Sequence, residues 1–255
     1  MTKETLTSEK EELLNENVQT AAPDADPVSK EDRAELPYQV VIPFNASDRP
    51  DRLRLLLASL CAFSQFDFTP VVVSDCPTEL AEYDMLVLPF ATGCSHNLYG
   101  ALLTAIRSDK VRERFILMPL TTYLIKPVSL AHIELPKVDV HGDNLTYCLK
   151  FPTMFDKQKW TEAQERLEKE EKRVRQVDAC LIEYIVKSDV LPMILDWTKD
   201  FLLLPVVSPS PNLESVKRFW SNKAAVSIDH DSAFEAIKPL FYDLLPELKQ
   251  VKKED

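Results

Sequence analysis

Chemistry in this sequence would have to come from a short set of polar residues placed beside apolar runs. Asp75 is the foremost, an acid closing the β-branched run Val71-Val72-Val73-Ser74, where open α/β sheets present ligands. The same place, just before Cys76-Pro77, also suits an ordinary turn residue. Arg49, Arg52 and Arg54 stand at the start of an apolar helical pattern, and guanidinium groups pair bidentately with a diphosphate. Salt pairing with Asp48 and Asp51 along the helix face competes with that role. Asn97 with Gly100 would let a ligand approach a helix start, and helix capping by Asn97 explains it equally well.

Further candidates carry weaker signals. Asp229-His230-Asp231 offers an acid, a base or a metal ligand, but as a polar turn before a helix it needs only to cap, through Asp231 or Ser232. The histidines, His96, His132, His141 and His230, show no pairing at metal-ligand spacing. Cys94 beside His96 has the makings of a thiolate site, although buried structural cysteine is commoner. Ser221 and Ser227 have no identifiable His and acid to form a triad with.

The elements that must position these residues centre on the stretch from Arg114 to Leu135. Its apolar run Phe115-Ile116-Leu117-Met118 has the length of a buried strand and is broken by a proline. The polar turn Thr121-Thr122 follows, and then a second apolar run ending at Lys126-Pro127-Val128. A strand feeding a polar turn in the middle of such a sheet is where a ligand is expected, yet this turn holds no carboxylate, histidine or glycine.

Upstream, strands are expected at Tyr38–Pro43, Pro70–Ser74 and Met85–Pro89, with helices at Asp51–Phe63 and Leu98–Ser108. Downstream, Leu145–Leu149 and Ala224–Ile228 read as strands. Thr161–Val174 reads as a charged helix laced by i,i+4 pairs. Helical patterns also run over 178–189, 191–204, Leu213–Trp220 and Ser232–Leu245. The alternation is that of an α/β protein with a mostly parallel, mixed sheet flanked by helices. Residues 1–36 hold few large apolar groups and read as a mobile tail, with room for one short helix formed on a protein partner. Residues 37–250 read as one domain and 251–255 as a frayed end.

Composition narrows the function. The 255 residues are 45% hydrophobic and 28% charged, with a net charge of −11, which argues against a nucleic-acid partner. No apolar run approaches the ~20 residues a membrane span needs, and the first residues lack a secretory pattern, so the expected setting is cytoplasmic, or virion-associated if phage-encoded. Five scattered cysteines with no CxxC pair read as reduced buried thiols. Only 3 glycines against 18 prolines speaks against a phosphate-cradling loop.

In order and pattern, residues 38–249 resemble a GT-A type glycosyltransferase, a nucleotide-sugar-dependent enzyme with a Rossmann-like sheet. More narrowly they resemble the short bacterial and phage transferases related to the Stealth-like capsule enzymes. The resemblance lies in Val40-Val41-Ile42-Pro43-Phe44-Asn45 with Arg49 and Leu53, in Val71–Asp75, in Asn97–Ala101, in Phe115–Met118 with Tyr123-Leu124 and Lys126-Pro127-Val128, and in Asn144–Lys157 with the closing helix. It implies that Asn45, Arg49, Asp75, Asn97, Thr121 and Thr122 face a sugar nucleotide. In that family an acidic pair after the fourth strand holds Mn²⁺ or Mg²⁺; here Leu120-Thr121-Thr122 stands there, so the metal ligands are missing. Phe151 stands where a histidine precedes the proline of the acceptor segment. The resemblance therefore implies a degenerate transferase acting through binding or assembly, with no catalytic residue and no metal. An active, metal-independent transferase and a purely structural or interaction protein are the alternatives. Restoring Thr121→Asp and Thr122→Asp together is expected to bring back metal binding.

Overall fold

Alternation of large apolar side chains on two faces builds the central sheet. The computed structural model describes residues 36–80, 83, 85–133, 137–141, 146–150, 152–169 and 206–245, with backbone alone over 137–141, 146–150 and 166–169 and at 215 and 219. Five strands lie side by side: β1 (Tyr38–Phe44), β2 (Phe68–Ser74), β3 (Leu86–Pro89), β4 (Arg114–Leu117) and β8 (Thr153–Asp156), in the order β3-β2-β1-β4-β8. The first four run parallel, and β8 pairs antiparallel with β4, Phe115 opposite Phe155. Val40, Ile42, Val72, Ile116 and Met154 point to one face, and Val41, Val71, Val73, Phe115, Leu117 and Phe155 to the other. Strands covered on both faces must be apolar throughout, which is why they read as runs rather than as alternations.

Helices cover each face. On the first lie α1 (Pro50–Phe63) and α6 (Asp231–Leu244), with the two-stranded ribbon of β5 (Thr122–Leu124) and β9 (Ala225–Ser227) between them in the same core. On the second lie α2 (Leu98–Arg107) and α4 (Lys157–Lys169), packed through Ala101, Leu102, Ala105, Trp160 and Ala163. A short α3 (Leu130–Ile133), the hairpin of β6 (Lys137–His141) and β7 (Thr146–Lys150), and α5 (Leu213–Trp220) complete the described elements. The fold class is the one the sequence predicts, an α/β protein with a mixed, mostly parallel sheet.

The departures have local causes. The strand β8, which follows Pro152 at once, is not expected from sequence, and its four residues are too few to show a period. β5, β6 and α3 are short enough to escape a pattern in the same way. α4 begins at Lys157 rather than Thr161, because Asp156 Oδ1 accepts from the Lys159 backbone N–H at 3.0 Å and caps the helix there. Among the described cysteines Cys76 is buried, but Cys61 is exposed on α1, contrary to the expectation of buried thiols throughout. Residues 1–35 of the predicted tail, the helices over 178–189 and 191–204, and Phe151 lie outside the described residues. Among the described residues no helix is long and apolar enough to cross a membrane.

One glycine carries a testable load. A Cβ on Gly100 would stand 1.6 Å from the Ser95 carbonyl oxygen and 2.8 Å from its carbon, both backbone atoms that cannot swing away. Gly100→Ala gains ~1 kcal/mol of helix propensity but must push the Cys94–Asn97 turn off α2, an overpacking cost of ~1–3 kcal/mol or more. The expected outcome is net destabilisation in a urea titration; a variant as stable as the parent would show that the turn moves freely.

Candidate functional site

The strand order sets the position of the cleft. From β1 the chain passes to β2 on one side, while β4 pairs on the other, so the order reverses between β1 and β4. At such a reversal the loops leaving the two strands part and open a crevice at their C-terminal ends. A cleft of ≈330 Å³ lies there. The turn after β1 contributes Ser47, Asp48, Arg49 and, from the first turn of α1, Arg52. Leu120 and Thr121 come from the turn after β4, and Asp229, His230 and Asp231 from the turn that enters α6.

Both arginines are already engaged. Arg52 is 5% exposed. Its Nε and Nη2 donate to Asp231 Oδ1 at 3.1 and 2.8 Å, and Nη1 donates to the Ile228 carbonyl at 2.7 Å and the Tyr123 hydroxyl at 3.4 Å. The guanidinium lies over the Phe234 ring, 4.5 Å from its centroid. Arg49 grips Asp51 with two donors, at 3.1 and 2.8 Å, and also pairs with Glu235. Asp51 Oδ2 accepts a third bond, from Lys238 Nζ at 2.5 Å. The hydrogen bonds that Arg49 donates to Asp51 and Glu235 raise its pKa further above the ordinary value. Burial pushes the Tyr123 hydroxyl well above the usual phenol range, against the pull of Arg52. The helix-face pairing of Arg49 with Asp51 expected from sequence is present; Arg52 instead reaches an acid 179 positions away.

The remaining sequence candidates are placed as follows. Asp48 Oδ2 accepts from the Asn45 backbone N–H at 2.7 Å and from its side-chain amide at 3.2 Å, while Asn45 Oδ1 is buried with no partner among the described residues. Asp75 lies outside the cleft lining: it accepts from the Ala46 N–H at 2.7 Å and faces His96 Nδ1 at 3.6 Å, bracing the turn after β1. Asn97 caps α2 through Gly100 N–H at 2.9 Å. Thr122 is 1% exposed in β5, with Tyr123 and Leu124 buried beside it, so of the threonine pair only Thr121 reaches the cleft. Asp231 and Ser232 do not cap α6 as expected. His230 holds the N-cap position without a side-chain bond, Asp231 is drawn to Arg52, and Ser232 donates to the Pro209 carbonyl. Lys238 and Glu235, which complete the charged cluster with Tyr123, carry no sequence signal beyond ordinary helix composition.

Mg²⁺ or Mn²⁺ needs several oxygen ligands converging at short range, and among the described residues no three His, Cys, Asp or Glu side chains are grouped to hold one. Thr121 offers only a neutral hydroxyl.

The cluster has a pH signature. Burial works against the Asp51 charge, but hydrogen bonds from Arg49 and Lys238 outweigh it and hold the carboxyl below its ordinary value. A depressed folded pKa gives stability that is fully present above the unfolded value of about 3.9 and is lost as pH falls through the folded one. Stability is expected to decline below about pH 4, and Asp51→Asn should flatten that limb in urea titrations. An acid limb identical in the variant would show that the pairing adds nothing to the folded state.

No protein-family model matches this sequence, and no curated protein matches it. Among solved structures, the apo-form of the glycosyltransferase GlyE of Streptococcus pneumoniae TIGR4 superposes with a TM-score of 0.37 at 12% identity, over 60% of this chain and 44% of that one. The matched region thus spans less than half the length of GlyE. A 2-C-methyl-D-erythritol 4-phosphate cytidylyltransferase from Thermus thermophilus gives 0.38 at 9% identity, over 60% of this chain and 85% of the other. Likeness at this level adds nothing to the topology described above.

Proposed function

We propose that the chain is a glycosyltransferase-like protein of the Stealth-like type which lacks the acidic metal motif, keeps a ligand cleft and works through binding or assembly rather than catalysis. One observation carries the reading: both cations lining the cleft are committed to carboxylates of the protein itself, Arg49 to Asp51 and Glu235, and Arg52 to Asp231. Glycosyl transfer needs a preorganised positive charge where the leaving diphosphate develops its own. An arginine already neutralised supplies that field only after its partner is displaced. The metal-independent transferase would need this displacement at every turnover.

Sugar nucleotides and their sugar parts are the ligands to test. In the first arm, UDP- and GDP-sugars are incubated with the full chain, with and without Mn²⁺, and release of sugar or diphosphate is followed; none is expected. Turnover abolished by Arg49→Ala would sink the non-catalytic reading. In the second arm a thermal-shift screen looks for binding, since a native-state ligand at 100 times its Kd stabilises by ~2.7 kcal/mol. Shifts that vanish when Thr121→Trp fills the cleft support binding there. No shift with any ligand leaves assembly as the role.

A further inference from the structure

Resting on the reading of the cleft as a ligand site, we propose that it accepts a polyhydroxylated ligand bearing no negative charge, and that Asp231 makes it refuse phosphate. Charge is the first ground. Asp51 and Glu235 take Arg49 and Lys238, and Asp231 takes Arg52. Asp48 and Asp229 then remain at the cleft with an amide and a hydroxyl as partners, Asn45 for one and Ser227 at 2.8 Å for the other. Carboxylates therefore exceed cations around the opening. A diphosphate entering it would have to break an ion pair and then face two further negative groups.

Position is the second ground. Asp231 Oδ1 receives both Nε and Nη2 of Arg52, the two-donor edge that a phosphate oxygen would use. The aspartate is thus a resident anion, its side chain 65% exposed while that of Arg52 is 6% exposed, so it covers the guanidinium from the solvent side. The lining is the third ground. Ser47 and Thr121 bring hydroxyls, Asp48 and Asp229 bring spare acceptor lone pairs, and Leu120 is the single apolar side chain. Carboxylates accept hydroxyl protons readily, and a polar lining gives an apolar ligand nothing to bury against. The ≈330 Å³ volume is at the low end of the ~300–1,000 Å³ of small-molecule sites, and suits a single sugar ring better than a whole sugar nucleotide.

The experiment is ligand-observed saturation-transfer NMR on the full chain, with glucose, N-acetylglucosamine, glucosamine and inorganic pyrophosphate as probes at matched ionic strength. Wild type, Asp229→Asn and Asp231→Asn are compared after amide spectra confirm that each is folded. The expected result is transfer to at least one sugar with wild type, several-fold weaker with Asp229→Asn. Pyrophosphate should bind Asp231→Asn at least tenfold more tightly than wild type. Equal pyrophosphate affinity in wild type and Asp231→Asn overturns the proposal while leaving the cleft as a ligand site. Absence of transfer to all three sugars with wild type also overturns it, and if no sugar nucleotide gives a thermal shift either, the ligand-site reading falls with it.

Discussion

Thr122→Asp is expected to unfold this domain or cost it most of its stability, while Thr121→Asp leaves it folded. The two threonines are neighbours in sequence and strangers in environment. Thr121 lines the cleft and is half-buried; Thr122 is 1% exposed in β5, opposite Ser227 on β9, with Tyr123 fully buried next to it. A carboxylate placed there loses its hydration. The group would protonate rather than stay charged, and the destabilisation is expected at ~4 kcal/mol or more, the range of buried unpaired charges. Its folded pKa would then lie above the unfolded one, so the penalty should shrink as pH falls toward 4. Urea titrations at pH 7 and pH 4.5 measure both effects. A Thr122→Asp protein within ~1 kcal/mol of the parent at pH 7 would mean that β5 opens to solvent. The consequence for metal is direct: the paired substitution that sequence reasoning expects to restore metal binding cannot be made, because one of its two positions belongs to the core.

Arg52→Met should be the second large effect, at ~3 kcal/mol. Arg52 sits on α1 and ties it to three other segments: β5 through the Tyr123 hydroxyl, the strand end at Ile228 through its carbonyl, and α6 through Asp231. Methionine keeps much of the stem packing and removes the donors. The Ile228 carbonyl and Tyr123 hydroxyl, both in the buried interior, then lose a partner at ~1–3 kcal/mol each when left unsatisfied. The contact over Phe234 adds ~0.5–2 kcal/mol. Asp231 contributes least, because its exposed carboxylate rehydrates. For a domain of this size each kcal/mol lowers Tm by ~2–4 °C, so a fall of roughly 6–12 °C is expected. Arg49→Met is the comparison: its side chain is 33% exposed in an ion pair of surface character, and its loss should cost ~1 kcal/mol or less. Equal losses from the two substitutions would show that Arg52 acts as a surface charge rather than as a buried tie.

The contrast between these arginines marks how far the sequence reaches. Both stand in one short motif, and nothing local tells them apart. The pairing of Arg49 with Asp51 is legible because its geometry is set by two residues of chain. The pairing of Arg52 with Asp231 spans 179 positions, and exists only because α6 returns to pack beside α1 on one face of the sheet. Asp229-His230-Asp231 was visible as a polar turn, but its address was not. In the same way Asp75 could be seen at the end of a strand, yet only the fold shows it bracing Ala46 and standing outside the cleft.

By itself the sequence determined the α/β class, β1 to β4 and the helices around them, since buried strands and amphipathic helices write their period into neighbouring residues. It also determined that the turn after β4 carries no carboxylate. The tertiary structure alone decided the strand order, the antiparallel return of β8, and the reversal between β1 and β4 that opens the cleft. It decided as well that Thr122 faces the core while Thr121 faces the opening. Those features depend on which distant elements meet, and a side chain's type carries no record of the partner that crossing connections bring to it.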